Sequence, residues 1–207
     1  MAIDLSALVA PQSTAIVASE CQNGVLGPQS SLPELAAAAA DNVIPNGARL
    51  LAGARKAGVQ VIHSVFWRRA DWKGANSNGR LFVAMRKMGA VVMEPGSELA
   101  APIPEFSPSP DDIVLGRYHG LDPFGGTDLD PVLRNLGVST VVVMGVSLNV
   151  ALIGLCVGLV NAGYQVVVPR DAVTGVPAEY AQDMLTYTYP MVATISDTDQ
   201  LLEAWSV

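Results

Sequence analysis

The chain alternates short apolar runs, rich in β-branched residues, with longer stretches of helical pattern. Thr14–Ala18, Gly58–Val65, Asp112–Gly116, Val138–Met144, Tyr164–Val168 and Val192–Ile195 read as strands. The Ala- and Leu-rich stretch from Leu35 to Lys56 predicts a helix broken near Pro45. Residues 81–88, Asp128–Leu136, Leu148–Ala162 and Ala178–Thr186 predict further helices, with Thr127 as an N-cap, and Asp197–Gln200 opens a closing one. The longest irregular excursion runs from Trp67 to Arg80.

Strands apolar on both faces and separated by helices imply a sheet covered on both sides. The predicted class is α/β: a three-layer Rossmann-like fold, its mostly parallel central sheet flanked by helices on both faces. No linker, repeat or low-complexity tract interrupts it, so residues 1–207 read as a single domain. Such sheets bind ligands beyond the carboxyl ends of their strands. Those ends carry Glu20, the Trp67–Arg80 loop, Arg117 and Ser147–Ala151.

Composition narrows the function classes. Half of the residues are hydrophobic and 15% are charged, enough for a sizeable core and a buried oligomer interface. A formal charge of −7 argues against general nucleic-acid binding. The charge is uneven: of the 12 basic residues, six (Arg68, Arg69, Lys73, Arg80, Arg86, Lys87) fall in one stretch, opposed there only by Asp71. That stretch reads either as a solvated loop or subunit interface, or as a lure for an anionic substrate. Cys21 and Cys156 lie in apolar segments and read as buried free thiols, which suits a cytoplasmic protein. There is no signal-peptide pattern at the start and no apolar run of about 18 residues, so no membrane span is expected.

The candidate chemistry sits at the strand ends. Glu20 follows a buried strand, where desolvation can turn a carboxylate into an acid or base. Arg117 ends another strand and can anchor a carboxylate, of a ligand or of Glu20. His119 either lines a Gly-flanked loop or serves as a pocket base, and His63 reads as a satisfied core histidine. In the 67–80 loop, Trp67 and Trp72 offer apolar faces, Asn76 and Asn78 amides, and Arg69 and Arg80 charge.

From Asp112 to Ala172 the chain resembles the isochorismatase-like hydrolases. Arg117 to Leu129 matches that family's run from a lysine to F-x-G-T-x-L, with Arg117 at the lysine. Gly145-Val146-Ser147-Leu148-Asn149-Val150 matches its strand-to-helix turn, and Asn161–Tyr164 and Arg170–Ala172 match later landmarks. Upstream, Glu20-Cys21-Gln22-Asn23 matches D-x-Q-N, with Glu20 at the aspartate. The resemblance spans roughly Thr14 to Ile195.

In the cysteine branch the resemblance implies an aspartate, a lysine and a cysteine nucleophile, with backbone amides holding an oxyanion and a bond equivalent to Val146–Ser147 that is often cis. Here those three positions hold Glu20, Arg117 and Ala151. A methyl group is no nucleophile, so the amide-hydrolysis route does not transfer to Ala151. Cys156, five residues on, lies about 140° around the helix and about 7.5 Å along it, and Cys21 points away from Glu20. The vinyl-ether-cleaving branch needs no cysteine: an acid protonates the substrate and water attacks the cation.

The expected function is therefore hydrolysis of a small anionic metabolite by acid/base chemistry. Glu20 and Arg117 are the catalytic candidates; Ser147, Asn149, Ala151, His119, Trp67 and Asn76 are the substrate-binding ones. The alternative is a catalytically silent relative that binds a metabolite or a protein. A relocated nucleophile at Cys21 or Cys156 is a third reading. The metal-binding branch's histidine cluster has no counterpart at Phe66–Trp72, so no metal and no other cofactor is expected. The resemblance implies a homodimer or homotetramer, with a small molecule as the other partner and neither nucleic acid nor membrane.

Overall fold

The computed structural model describes residues 4–207. Six parallel strands form one sheet: β1 (Thr14–Ser19), β2 (Gln60–Phe66), β3 (Ile113–Arg117), β4 (Thr140–Gly145), β5 (Gln165–Pro169) and β6 (Thr194–Ser196). Their order is β3-β2-β1-β4-β5-β6. The helices are α1 (Leu5–Leu8), α2 (Asn23–Leu26), α3 (Pro33–Ala40), α4 (Val43–Ala57), α5 (Arg80–Lys87), α6 (Leu129–Asn135), α7 (Ile153–Asn161), α8 (Ala178–Asp183) and α9 (Thr198–Ala204). The α/β class read from the alternation is what the chain adopts.

The strand pleat sends alternate side chains to the two layers. Ile16, Ala18, Val61, Val142 and Met144 pack with α3, α4 and α9. Ala15, Val17, Ile62, Val141 and Val143 pack with α6, α7 and the segment after α8. All six residues of β1 and of β4 are buried, as central strands require. Among the described residues no helix is long and apolar enough to cross a membrane.

Several element boundaries differ from the sequence reading. The break between α3 and α4 falls at Asp41–Asn42, where the Asn42 side chain accepts from the Val43 N–H at 2.8 Å. Pro45 sits inside the first turn of α4, where a missing N–H costs no helical hydrogen bond. Asp128 precedes α6 as its N-cap, yet the Thr127 hydroxyl still accepts from the Leu129 N–H at 3.2 Å. The helix expected over Leu148–Ala162 opens with one wide π-turn, Leu148–Leu152, before α7.

The chain visits β1, β2 and β3 on one side, then crosses back to place β4 on the other side of β1. Beyond the carboxyl ends, the connections after β1 and β4 therefore diverge and open a crevice.

Candidate active site

Glu20 leaves the end of β1 with φ of 56°, a left-handed conformation costing a non-glycine residue of order ~1–3 kcal/mol. Its N–H donates to the Ser64 carbonyl at 2.9 Å. Arg117 ends β3, two strands away, and reaches past Phe66 at the end of β2, whose ring lies 5.6 Å from its guanidinium carbon. Its Nη2 donates to Glu20 Oε1, forming an ion pair. The Arg117 side chain is 3% exposed, and its Nε and Nη1 are buried without a partner among the described residues.

A second buried cation stands close by. Arg68 is 7% exposed, and its guanidinium carbon lies 5.4 Å from the Phe66 ring and 5.3 Å from that of Trp72. Its Nη1 donates to the Val91 carbonyl at 2.9 Å, while Nε is buried without a partner among the described residues. Burial pulls its pKa below the usual arginine value, and the negative charge of Glu20 opposes that pull. The motif neighbours of Glu20 act as braces. Buried Gln22 donates to the Phe66 and Ala100 carbonyls at 2.9 and 2.8 Å and accepts from the Phe66 N–H at 2.7 Å. Asn23 ties the same turn to the Glu98 carbonyl at 3.0 Å.

Two cavities adjoin Glu20. The smaller, of about 90 Å³, is lined by Glu20, Phe66, Arg68, Trp72, Phe82 and Met85 among others. The larger, of about 470 Å³, is an apolar cleft whose walls include Leu32, Pro33, Leu35, Val150, Ala151 and Val176. Glu20, Ser31, Leu32, Leu81 and Val150 border both. Ser147, Asn149 and Ala151 all face the larger cleft.

The peptide between Val146 and Ser147 is cis. Ser147 donates its hydroxyl to Asn149 Oδ1 at 2.7 Å, and Asn149 Nδ2 donates to the Val176 carbonyl at 3.0 Å. The Leu148 N–H is taken by Thr174 at 2.8 Å, and those of Val150 and Leu152 by Ser147 at 3.1 Å. These groups mainly hold one another in place, and the charged side chains of the cleft are Glu20 and the exposed Glu34.

The structure separates the remaining candidates from this cluster. Trp67 stacks against Tyr118 with ring centroids 5.4 Å apart and packs on the core, lining neither cavity. Trp72 takes the chamber wall instead. Asn76 accepts from the Gly120 N–H at 2.8 Å, bracing a loop that borders the small chamber. His119 is exposed and lies against Gly126. His63 is buried and bonded to Asp112 at 3.0 Å. Both cysteines are free and buried. Burial, aided by the charge of Glu20, pushes the Cys21 thiol far up, and burial pushes Cys156 up to about 12. Neither lines either cavity, and neither supplies a thiolate near neutral pH. Among the described residues, no three His, Cys, Asp or Glu side chains are grouped so as to hold a metal ion.

Arg68 is the residue that sequence reasoning passed over. Its signal was present in the basic run, but nothing there distinguishes the one buried arginine from its exposed neighbours.

Known proteins share this architecture. Residues 14–200 match the isochorismatase domain family. The chain is 26% identical over 193 residues to the uncharacterized isochorismatase family protein YecD of Escherichia coli, covering 93% of this chain and 96% of that protein. It is 28% identical over 205 residues to the ureidoacrylate amidohydrolase RutB of Agrobacterium fabrum, covering 90% and 89%. A cysteine hydrolase from Pseudomonas syringae superposes with a TM-score of 0.81 at 21% identity, over 96% of this chain and 95% of that one.

Proposed function

The chain belongs to the isochorismatase family, and from that premise we propose that it hydrolyses a small anionic metabolite without a cysteine nucleophile. The observation that carries this reading is the position of Glu20. Its carboxylate is held at one oxygen by Arg117 and borders both cavities, beside a wall where Ala151 replaces the usual thiol. An acid–base group fixed in this way is positioned before substrate arrives.

For a vinyl ether, Glu20 gives a proton to the terminal alkene carbon. Water then adds to the resulting oxocarbenium ion, and the hemiketal breaks to an alcohol and a ketone. One water is consumed, and the proton returns to the carboxylate. The apolar cleft limits competing water, and the negative charge left on Glu20 faces the cation. Likeness to an amidohydrolase supports addition of water as the reaction class, but the acyl-enzyme route of the cysteine branch has no atom to start from at Ala151.

Glu20→Gln tests the reading. Turnover should fall at least about a hundredfold, measured below the variant's unfolding midpoint, which should itself drop because Gln leaves the buried Arg117 cation without its counter-charge. Undiminished turnover in this variant overturns it. The closed Glu20–Arg117 pair also favours a second reading, a silent binder in which the pair is purely structural. That protein would bind carboxylates saturably and hydrolyse none of a broad panel of vinyl ethers, esters and amides.

The same reading sets the chain in the cytoplasm, in keeping with two unpaired thiols. It also makes the chain a homodimer or homotetramer, which would cover exposed Val157, Val160, Tyr187 and Met191. Light scattering at micromolar concentration measures this directly, and a monomer would contradict it.

A further inference from the structure

The two cavities meet at Glu20 but differ in charge. The small chamber is lined by one buried arginine, Arg68, and one carboxylate, Glu20, while Arg117 reaches Glu20 from outside both cavities. Arg117 is matched by Glu20, which leaves Arg68 as the unmatched cation. Its Nη1 is satisfied by Val91. Among the described residues its Nε is buried without an acceptor and no hydrogen bond is made by Nη2, so the Nε–Nη2 edge, the edge that takes a carboxylate with two parallel hydrogen bonds, is unsatisfied. The Phe66 and Trp72 rings hold the guanidinium through cation–π contacts, which reduces the entropy lost when an anion docks. A buried donor left unmade is costly, and a ligand oxygen would relieve it. The chamber is too small for more than a compact head group, while the adjoining cleft is large and apolar.

We propose that Arg68 is a substrate anchor, and that the site takes an amphipathic monocarboxylate: the carboxylate seated against Arg68 in the small chamber, the apolar body in the larger cleft, and the reacting bond between them beside Glu20. This deepens the proposed hydrolytic function and rests on it for the position of the reacting bond. The carboxylate site itself rests on Arg68 alone. Arg117 is then the partner that holds Glu20, and the role of binding an anion passes to the other arginine.

Binding without turnover isolates this claim. Phenylacetate, 3-phenylpropionate and 4-phenylbutyrate, with their primary amides, would be titrated calorimetrically into the intact protein and into Glu20→Gln. At least one acid should bind saturably below about 10 mM and at least about tenfold more tightly than its amide. Acetate, which has no apolar body, should bind more weakly than that acid. Arg68→Met should erase the preference for acid over amide while leaving amide binding in place, which also shows that the cleft is still folded. Arg68→Lys should keep part of the preference. Equal binding of acid and amide, absence of saturable binding by every acid, or an acid preference that survives Arg68→Met would overturn the proposal. Loss of turnover in Glu20→Gln with the acid preference retained separates the two claims: a failed anchor leaves the Glu20 result standing, and the reverse also holds.

Discussion

At the scale of single residues, the site turns on which side chains are free to react. Cys21 lies beneath Gly145, where an added Cβ would meet its sulfur at 2.7 Å, and Cys156 is fully enclosed in the opposite layer. Ala151 is buried by the packing around it, yet it forms part of the wall of the larger cleft. Iodoacetamide should therefore leave the native protein unlabelled until it unfolds. Ala151→Cys should react at least about a hundredfold faster than either native thiol, as read by intact mass. If the variant labels no faster than the parent, the wall beside Glu20 is closed. The outcome for Cys156 was legible in the sequence, because helical geometry alone turns it from the cleft. The choice of Trp72 over Trp67 was not. Both lie in a loop without periodicity, and only the packing of Trp67 on Gly116 withdraws it: a Cβ at Gly116 would lie 2.0 Å from that ring.

At the scale of elements, the sheet could be read because its strands carry unbroken apolar runs that no surface element could afford. Helix ends were less legible. Pro45 looks like a breaker in isolation, but its effect depends on whether it falls in the first turn, which the sequence leaves open. The junction after β4 depends on close backbone approach. Gly145 has φ of 104°, and a Cβ there would sit 2.4 Å from the Ser19 carbonyl oxygen. Its N–H donates to the Ala172 carbonyl at 2.9 Å, and the next residue, Val146, donates to Ser19 at 3.1 Å. Gly145→Ala should therefore separate β1 from β4 at the floor of the crevice. The expected cost is about 2–4 kcal/mol, read from urea unfolding, with catalysis falling more than stability alone explains. A variant as stable and active as the parent would mean that this approach is not required.

At the scale of the whole molecule, stability should depend on pH through a cluster on the far side of β2 and β3 from the cleft chemistry. Asp112 accepts from Arg55 at 2.6 Å, from the Ser109 N–H at 3.0 Å and from its hydroxyl at 2.9 Å, and pairs with His63 at 3.0 Å. Burial alone would raise the Asp112 pKa, but those hydrogen bonds together hold it well below the usual 3.8. Burial lowers His63 below its usual 6.5, against the opposing pull of Asp112. Both groups bind protons more weakly folded than unfolded, so each contributes stability that is complete above its unfolded value and lost on acidification. The unfolding free energy should be flat in these groups above pH 6.5, decline below it as His63 is driven to protonate, and fall further below about pH 4. Asp112→Asn should shallow the lower limb, and an unchanged limb would rule out this cluster as its source. His63 reads as a satisfied core histidine from sequence alone, but its partner does not, since His63 and Asp112 are joined only once β2 and β3 pair. The same holds for Glu20 and Arg117, whose pairing the strand ends allowed but whose closure needed the sheet order. That order also separates two kinds of inheritance. The reactive floor hangs on the ends of β1, β3 and β4, while much of the enclosing wall comes from α3, α5 and the Trp67–Arg80 loop, which contribute no strand. Exchanging those wall segments between relatives would alter which molecule is admitted and leave the floor intact, so a lineage with this architecture can change its diet without relearning its chemistry.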